Sequence, residues 1–319
     1  MTVNVYKSTD ASAPNVLAGT IGTLITVLDA CLVNGYGSKA AAGWTKAYSG
    51  TNLAAYRQGA SSGLLQHYLR IDDTLLAVQA KAVGYEDMSD VNTGTGPFPT
   101  SGQLTAGTYF PKSVSADAVV RPWMVVATNR AFYLYVHYDE TDITASTSYK
   151  LMAFFGDITS YKSGDQYNCM ILGNYTSATA TNNFANTSAN LATQLNGHYL
   201  ARSYTQTGAS IPVAKIIDYM RNGVSERIGA GGSAAVPYPD PMTGGMLLAP
   251  VYVTEGITGV ATVRGVMPGL WAPLHNLPGN HYDTFSGSGV FAGKTFTLLD
   301  STNGGNARLR VALETSDTW

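Results

Sequence analysis

The pentapeptide Gly59-Ala60-Ser61-Ser62-Gly63 has the G-x-S-x-G spacing in which a sharp strand-to-helix turn lifts a serine hydroxyl above a parallel sheet as a nucleophile. Its flanks argue against that chemistry. Leu53 to Gln58 lacks the pattern of a buried strand, and Leu64 to Ile71 alternates like a strand where the motif needs a helix. In a chain with 34 glycines a chance match is common, so Ser61 is expected to be an ordinary loop residue. His275 and His281, six positions apart with Asp283 beside them, are residue types that hold zinc, but their spacing fits no zinc signature. His275 stands between Pro273 and Pro278 and is expected to be a hydrogen-bonded structural histidine. Asp72-Asp73 and Asp139-Glu140-Thr141-Asp142 offer oxygen ligands for calcium, yet neither has the glycine-turned spacing of an EF-hand loop, and solvated turns explain both. Glycoside hydrolysis needs two carboxylates that the fold must bring together, and the glutamates available are Glu86, Glu140, Glu226, Glu255 and Glu314.

No catalytic, cofactor-binding or metal residue is assigned from these patterns. The candidates for a subunit interface or a sugar-stacking platform are Trp44, Tyr48, Trp271 and His275, with core packing as the competing role. Trp44, in Gly43-Trp44-Thr45-Lys46, and Trp271, between Pro268 and Pro273, occupy loop-like contexts.

The elements that must position these residues are mostly strands. One helix is predicted over 20–34, where Ile21, Leu24, Ile25, Leu28 and Leu32 fall on one stripe, with Thr20 as N-cap and Gly35 as stop. Gly22, Thr23 and Thr26 weaken its intrinsic helicity, so the stripe must be held by packing, and Cys31 beside it reads as a small buried residue. Trp123 to Tyr138 reads as a hairpin turning at Thr128-Asn129-Arg130. In its second arm Phe132, Leu134 and Val136 face one way and Tyr133, Tyr135 and His137 the other, either toward a partner or toward a second packed layer. Further strands are predicted at 64–71, 75–83, 149–155, 167–172, 246–253, 260–266, 296–299 and 308–313, and the alternation of Arg308 and Arg310 suggests a solvated sheet edge. The expected fold is therefore mainly β, an antiparallel sandwich or barrel-like set of sheets with one N-terminal amphipathic helix packed on them. The Gly, Ala and Ser run at 229–235 suggests a boundary between a β-rich domain spanning 1–228 and a β-rich C-terminal region spanning 229–319, or else a long loop within one assembly.

Composition narrows the function. Charged residues make up only 13% of the 319, while Gly and Tyr are abundant at 34 and 20. The 19 basic and 21 acidic residues leave no surplus of positive charge for a phosphate backbone, which excludes nucleic acid as the expected partner. Cys31 and Cys169 sit in no metal-ligand spacing and cannot form a disulfide framework. No secretory signal and no apolar run of membrane-spanning length is visible, so synthesis in a cytoplasm without membrane insertion is expected, and the sequons at Asn174 and Asn186 carry little weight.

Several stretches then resemble a known family together: DACLVNGYGSKAAAGWTKAYSGTNLAAYRQG from Asp29, GYEDMSDVNTGTGPFP from Gly84, FFGDITSYKSGDQYNCMILG from Phe154, YLARSYT from Tyr199 and RGVMPGLWAPLHNLP from Arg264. They are similar to structural proteins of tailed bacteriophages and prophages. The resemblance implies a virion component without catalytic residues or cofactor, made in the host cytoplasm and assembled with copies of itself and other virion proteins in a tail, baseplate or neck. A receptor- or glycan-binding module on the same particle, meeting a host surface glycan, is the first alternative. A glycan or serine hydrolase is the second.

Overall fold

The computed structural model describes residues 1–14, 17–74, 77–105, 107–144, 150–174, 197–217, 238–257, 260–274, 279–301, 309–316 and 318–319. The richest β-branched and aromatic run of the chain forms the expected hairpin. One arm, β9 (Trp123–Ala127), pairs antiparallel with the other, β10 (Ala131–His137), setting Phe132 opposite Ala127 and Val136 opposite Trp123. Around it a 13-stranded sheet is built. It begins at β1 (Asn4–Lys7), continues through β9, β10, β11 (Lys150–Asp157), β13 (Cys169–Leu172), β14 (His198–Leu200), β15 (Ile211–Ile217) and β16 (Leu248–Ile257), and ends through β17 (Val260–Pro273), β20 (Leu309–Glu314), β19 (Thr295–Ser301) and β18 (Thr284–Ser286). β15 pairs antiparallel with β16, with a register shift between Val213 and Lys215. The short β12 (Thr159–Ser160), directly after β11, pairs instead with β17 and so ties the first half of the sheet to the second.

A separate five-stranded sheet contains β2 (Thr45–Gly50), β3 (Leu53–Arg57), β4 (Tyr68–Asp72), β5 (Gln79–Tyr85) and β8 (Thr108–Pro111) in that order. The remaining hairpin joins β6 (Asp87–Asp90) to β7 (Thr93–Thr95).

Because side chains alternate across a strand, β10 contributes to two cores. Phe132, Leu134 and Val136 pack with Trp123 and Val125 against Tyr56, Leu69 and Ile71 of the five-stranded sheet and Leu24, Leu28 and Leu32 of the helical segment. Tyr133 and Tyr135 pack with Met124, Phe154 and Met170 against Val251, Val253, Leu270, Val311 and Leu313 from the far half of the large sheet. The β9–β10–β11 region is thus the middle layer of a mainly β, antiparallel sandwich, with both faces covered. The aromatic face of β10 is a second packed layer, as one of the two readings required.

The helix is shorter and stranger than its stripe suggests. An α-helix, α1 (Thr23–Leu28), runs directly into a π-helical turn, Asp29–Asn34, which stops at Gly35 with φ +74°. Thr20 does not cap it: Gly22, at φ +84°, holds the N-cap position, and Ile21 lies exposed ahead of the helix. The orphan amide of Leu24 is taken instead by Asp73 Oδ2 at 3.1 Å, from 49 residues away. The stripe itself is buried, with Leu24, Val27, Leu28, Cys31 and Leu32 fully enclosed. Replacing Leu28 by alanine should therefore cost about 2–4 kcal/mol, read by urea unfolding. A change below half a kcal/mol would mean that the stripe carries no packing.

Two local expectations are corrected by the pairing. Leu53–Arg57 is a strand after all, buried at its centre, because β2 and β4 flank it. The strand bearing Arg310 is not an edge, since β20 is paired on both sides by β17 and β19. Arg308 lies outside the described residues.

Candidate functional site

The polar residues that matter lie between the layers. Arg130 closes the β9–β10 turn, where the sequence marks it only as a poor turn residue, and it is fully buried. Its Nε donates to Asp157 Oδ2 at 2.8 Å, while Nη1 reaches the carbonyl of Gly59 at 2.8 Å and Nη2 that of Leu65 at 2.5 Å. The guanidinium fork therefore clamps both ends of the loop that contains Ser61. Gln58 completes the clamp, donating from Nε2 to Asp157 Oδ1 at 2.8 Å and accepting the amide of His67 at 2.8 Å. Asp157 follows Gly156, whose φ of +140° and a would-be Cβ only 2.3 Å from Ala131 Cα leave room for no side chain as β11 meets the hairpin turn.

Across from Asp157 stands Cys169, its direct register partner in β13, and His67, from the loop before β4, completes the group. One ligand atom from each of His67, Asp157 and Cys169 lies within 4.8 Å of the others. The His67 ring packs edge-to-face with Phe98 and Tyr167, with centroids at 5.9 and 6.4 Å, and neither ring nitrogen has a hydrogen-bond partner among the described residues. Burial, followed by the charges of Arg130 and Arg202, pushes its pKa down to about 3, so the imidazole is neutral. Burial raises the Cys169 thiol well above its usual range. It raises Asp157 as well, with Arg130 opposing.

A second ion-pair set adjoins the first. Arg264 on β17 holds Asp165 through two bonds of 2.7 Å and Glu255 Oε2 at 2.8 Å, with all three side chains buried. Arg202 stacks over Tyr167 at 4.1 Å and grips Glu86 through bonds of 2.6 and 2.5 Å, tying the five-stranded side of the molecule to the large sheet. Between these sets opens a cleft of about 300 Å³, bordered by Leu64, Asp157, Asp165, Asn168, Pro268 and Trp319. The oxygens of Asp157 and Asp165 already accept bonds from Arg130, Gln58 and Arg264, which makes them scaffold for the cleft and not a free acid and nucleophile.

The residues singled out by sequence are not brought together. Ser61 is exposed in the β3–β4 loop, with β4 and not a helix after it. Trp44 is enclosed in the core against Phe132 and Phe155, with its Nε1 donating to the carbonyl of Thr128 at 2.8 Å, and so is no surface anchor of this chain. Tyr48 is half-buried, stacks on Tyr68 and donates to the carbonyl of Met88. Trp271 is half-buried against Phe291, and its Nε1 donates to Glu314 Oε2. His275 and Glu226 lie outside the described residues. His281 is buried beside Tyr135 at 2.9 Å, whereas Asp283 is exposed and accepts the amide of Asn280. Asp142 is an exposed turn residue, as expected, but Asp73 is fully buried and paired with Lys112.

Arg130, Asp157, Asp165, His67 and Cys169 were missed because each is a lone residue in an unremarkable stretch, and only the completed fold makes them neighbours. The one signal in the sequence was Arg130 itself, a long charged side chain where a tight turn favours glycine. No protein-family model matches the chain, and no curated protein matches it.

Proposed function

We propose that the chain is a structural subunit of a tailed-bacteriophage virion, in the tail, baseplate or neck, assembled with copies of itself and other virion proteins. The observation that carries this reading is an exposed apolar surface at the β18–β19 end of the large sheet. Met242 is 90% and Val290 92% exposed, on two loops that touch where a Cβ on Gly245 would lie 3.4 Å from Gly289 Cα. Behind them a small cluster of Phe285, Phe291, Phe296 and Trp271 supports the loops. A single exposed aliphatic residue means little, but two on touching loops backed by aromatic rings make a surface that is stabilised by leaving water. Burying it against a second copy of the chain is the economical outcome for a protein whose charged fraction is only 13%. The similarity of the quoted stretches to phage structural proteins supports the same reading.

Light scattering on the purified chain should give a defined oligomer, and the double variant Met242→Asp, Val290→Asp should give a smaller species with an unchanged melting temperature. A double variant of unaltered mass would remove this surface from the assembly, and a monomeric parent chain would remove self-assembly.

A further inference from the structure

We infer that His67, Asp157 and Cys169 form a binding site for a borderline-soft divalent cation, with zinc the best match to the donor set. This goes beyond the assembly reading and does not depend on it. The three ligands come from separate segments: Asp157 and Cys169 face each other across β11 and β13, and His67 arrives from the loop leading into β4. Nitrogen, carboxylate oxygen and thiolate sulfur together suit zinc, and they offer too few oxygens for calcium or magnesium. Zinc bonds of about 2.0–2.3 Å in a tetrahedral site place ligand atoms about 3.3–3.6 Å apart. From the present spread of up to 4.8 Å, side-chain rotation has little more than an ångström to close.

Three further observations point at a cation. First, both ring nitrogens of His67 are buried without a partner among the described residues, which is unusual enough in a folded protein to need a cause, and a neutral imidazole nitrogen is a lone-pair donor to metal. Second, the outer contacts are of the supporting kind: Gln58 donates to Oδ1 of Asp157 and Arg130 holds Oδ2, fixing the carboxylate while leaving Oδ1 a second lone pair. Third, the ion-pair network around the site is short of positive charge. The surrounding ion pairs set the carboxylates of Glu86, Asp157, Asp165 and Glu255 against the guanidinium groups of Arg130, Arg202 and Arg264. That leaves one negative charge in excess, and ionising Cys169 makes it two, which a divalent cation cancels. Asp157 also borders the cleft, which supplies an entry path and a side from which water can fill a fourth position. Binding displaces the thiol proton from Cys169 to solvent, with the sulfur lone pair forming the new bond.

The test uses the full chain, free of any affinity tag and stripped with a chelator, titrated with cobalt(II) and then with zinc(II). The expected result is one equivalent of cobalt with thiolate-to-metal charge-transfer absorption, displaced by zinc. Cys31→Ser should retain that absorption, Cys169→Ser should lose it, and His67→Gln should bind at least about a hundredfold more weakly. Should the variants at the buried ligands fail to fold, the parent chain and Cys31→Ser decide the matter, since Cys169 is then the one thiol left to give the signal. No stoichiometric binding by the parent chain, absorption lacking the thiolate component, or a signal that disappears in Cys31→Ser would overturn the site.

Discussion

Arg264→Ala is expected to destabilise the chain by at least about 3–5 kcal/mol, the largest single-residue effect outside the apolar core. The guanidinium spends its fork on Asp165 and its remaining nitrogen on Glu255, and the three side chains are no more than 3% exposed. Removing it leaves two buried carboxylates without their cation, one of them also fixing the amide of Tyr204. The cost is thus that of stranded charge more than of lost attraction. Arg264→Lys keeps the charge but not the planar fork, and should lose an intermediate amount. Thermal unfolding measures both variants. A melting temperature for Arg264→Ala within two or three degrees of the parent, at about 2–4 °C per kcal/mol for a chain of this size, would show that the network is solvated.

Asp73→Ala is expected to cost about 3–5 kcal/mol for a related reason. Lys112 Nζ lies 2.5 Å from Asp73 Oδ1 with both side chains fully buried, and it donates to the carbonyl of Thr20 as well. Alanine strands the ammonium and also releases the amide of Leu24, which Asp73 holds at the start of α1 where Gly22 offers no capping side chain. The pair carries a pH signature. Burial outweighs Lys112 and pushes the Asp73 pKa up to about 6, and the same burial draws Lys112 down. A carboxyl whose pKa is higher in the folded state than in the unfolded one binds protons preferentially when folded. Its contribution is fully present below about pH 4 and is lost as pH rises through about 6. Denaturation at a series of pH values should show this decline in the parent chain and not in Asp73→Asn. A parent curve that is flat or rising across that window would contradict it.

The fold was legible where periodicity is a local property. The stripe of Leu24, Leu28 and Leu32, and the alternation of Phe132, Leu134 and Val136 with Tyr133 and Tyr135, depend only on side-chain direction along one element. Boundaries were less legible: the strand expected from Leu64 begins at Tyr68, because Arg130 and Gln58 hold 58–67 as a clamped loop. Cap and edge assignments failed for the same reason. Asp73 replaces Thr20 at the helix start, and β17 and β19 cover both sides of the last strand.

Composition and pattern alone thus determined a mainly β chain with one buried helical stripe, too few cysteines for a disulfide framework and a surface poor in charge. Tertiary structure alone decided which polar residues meet. Asp157 and Cys169 are neighbours through register across β11 and β13, His67 joins them from the loop before β4, and Arg264 finds Asp165 from 99 residues away. No short-range pattern encodes such contacts, since a buried charge is tolerated only where the completed fold supplies its partner.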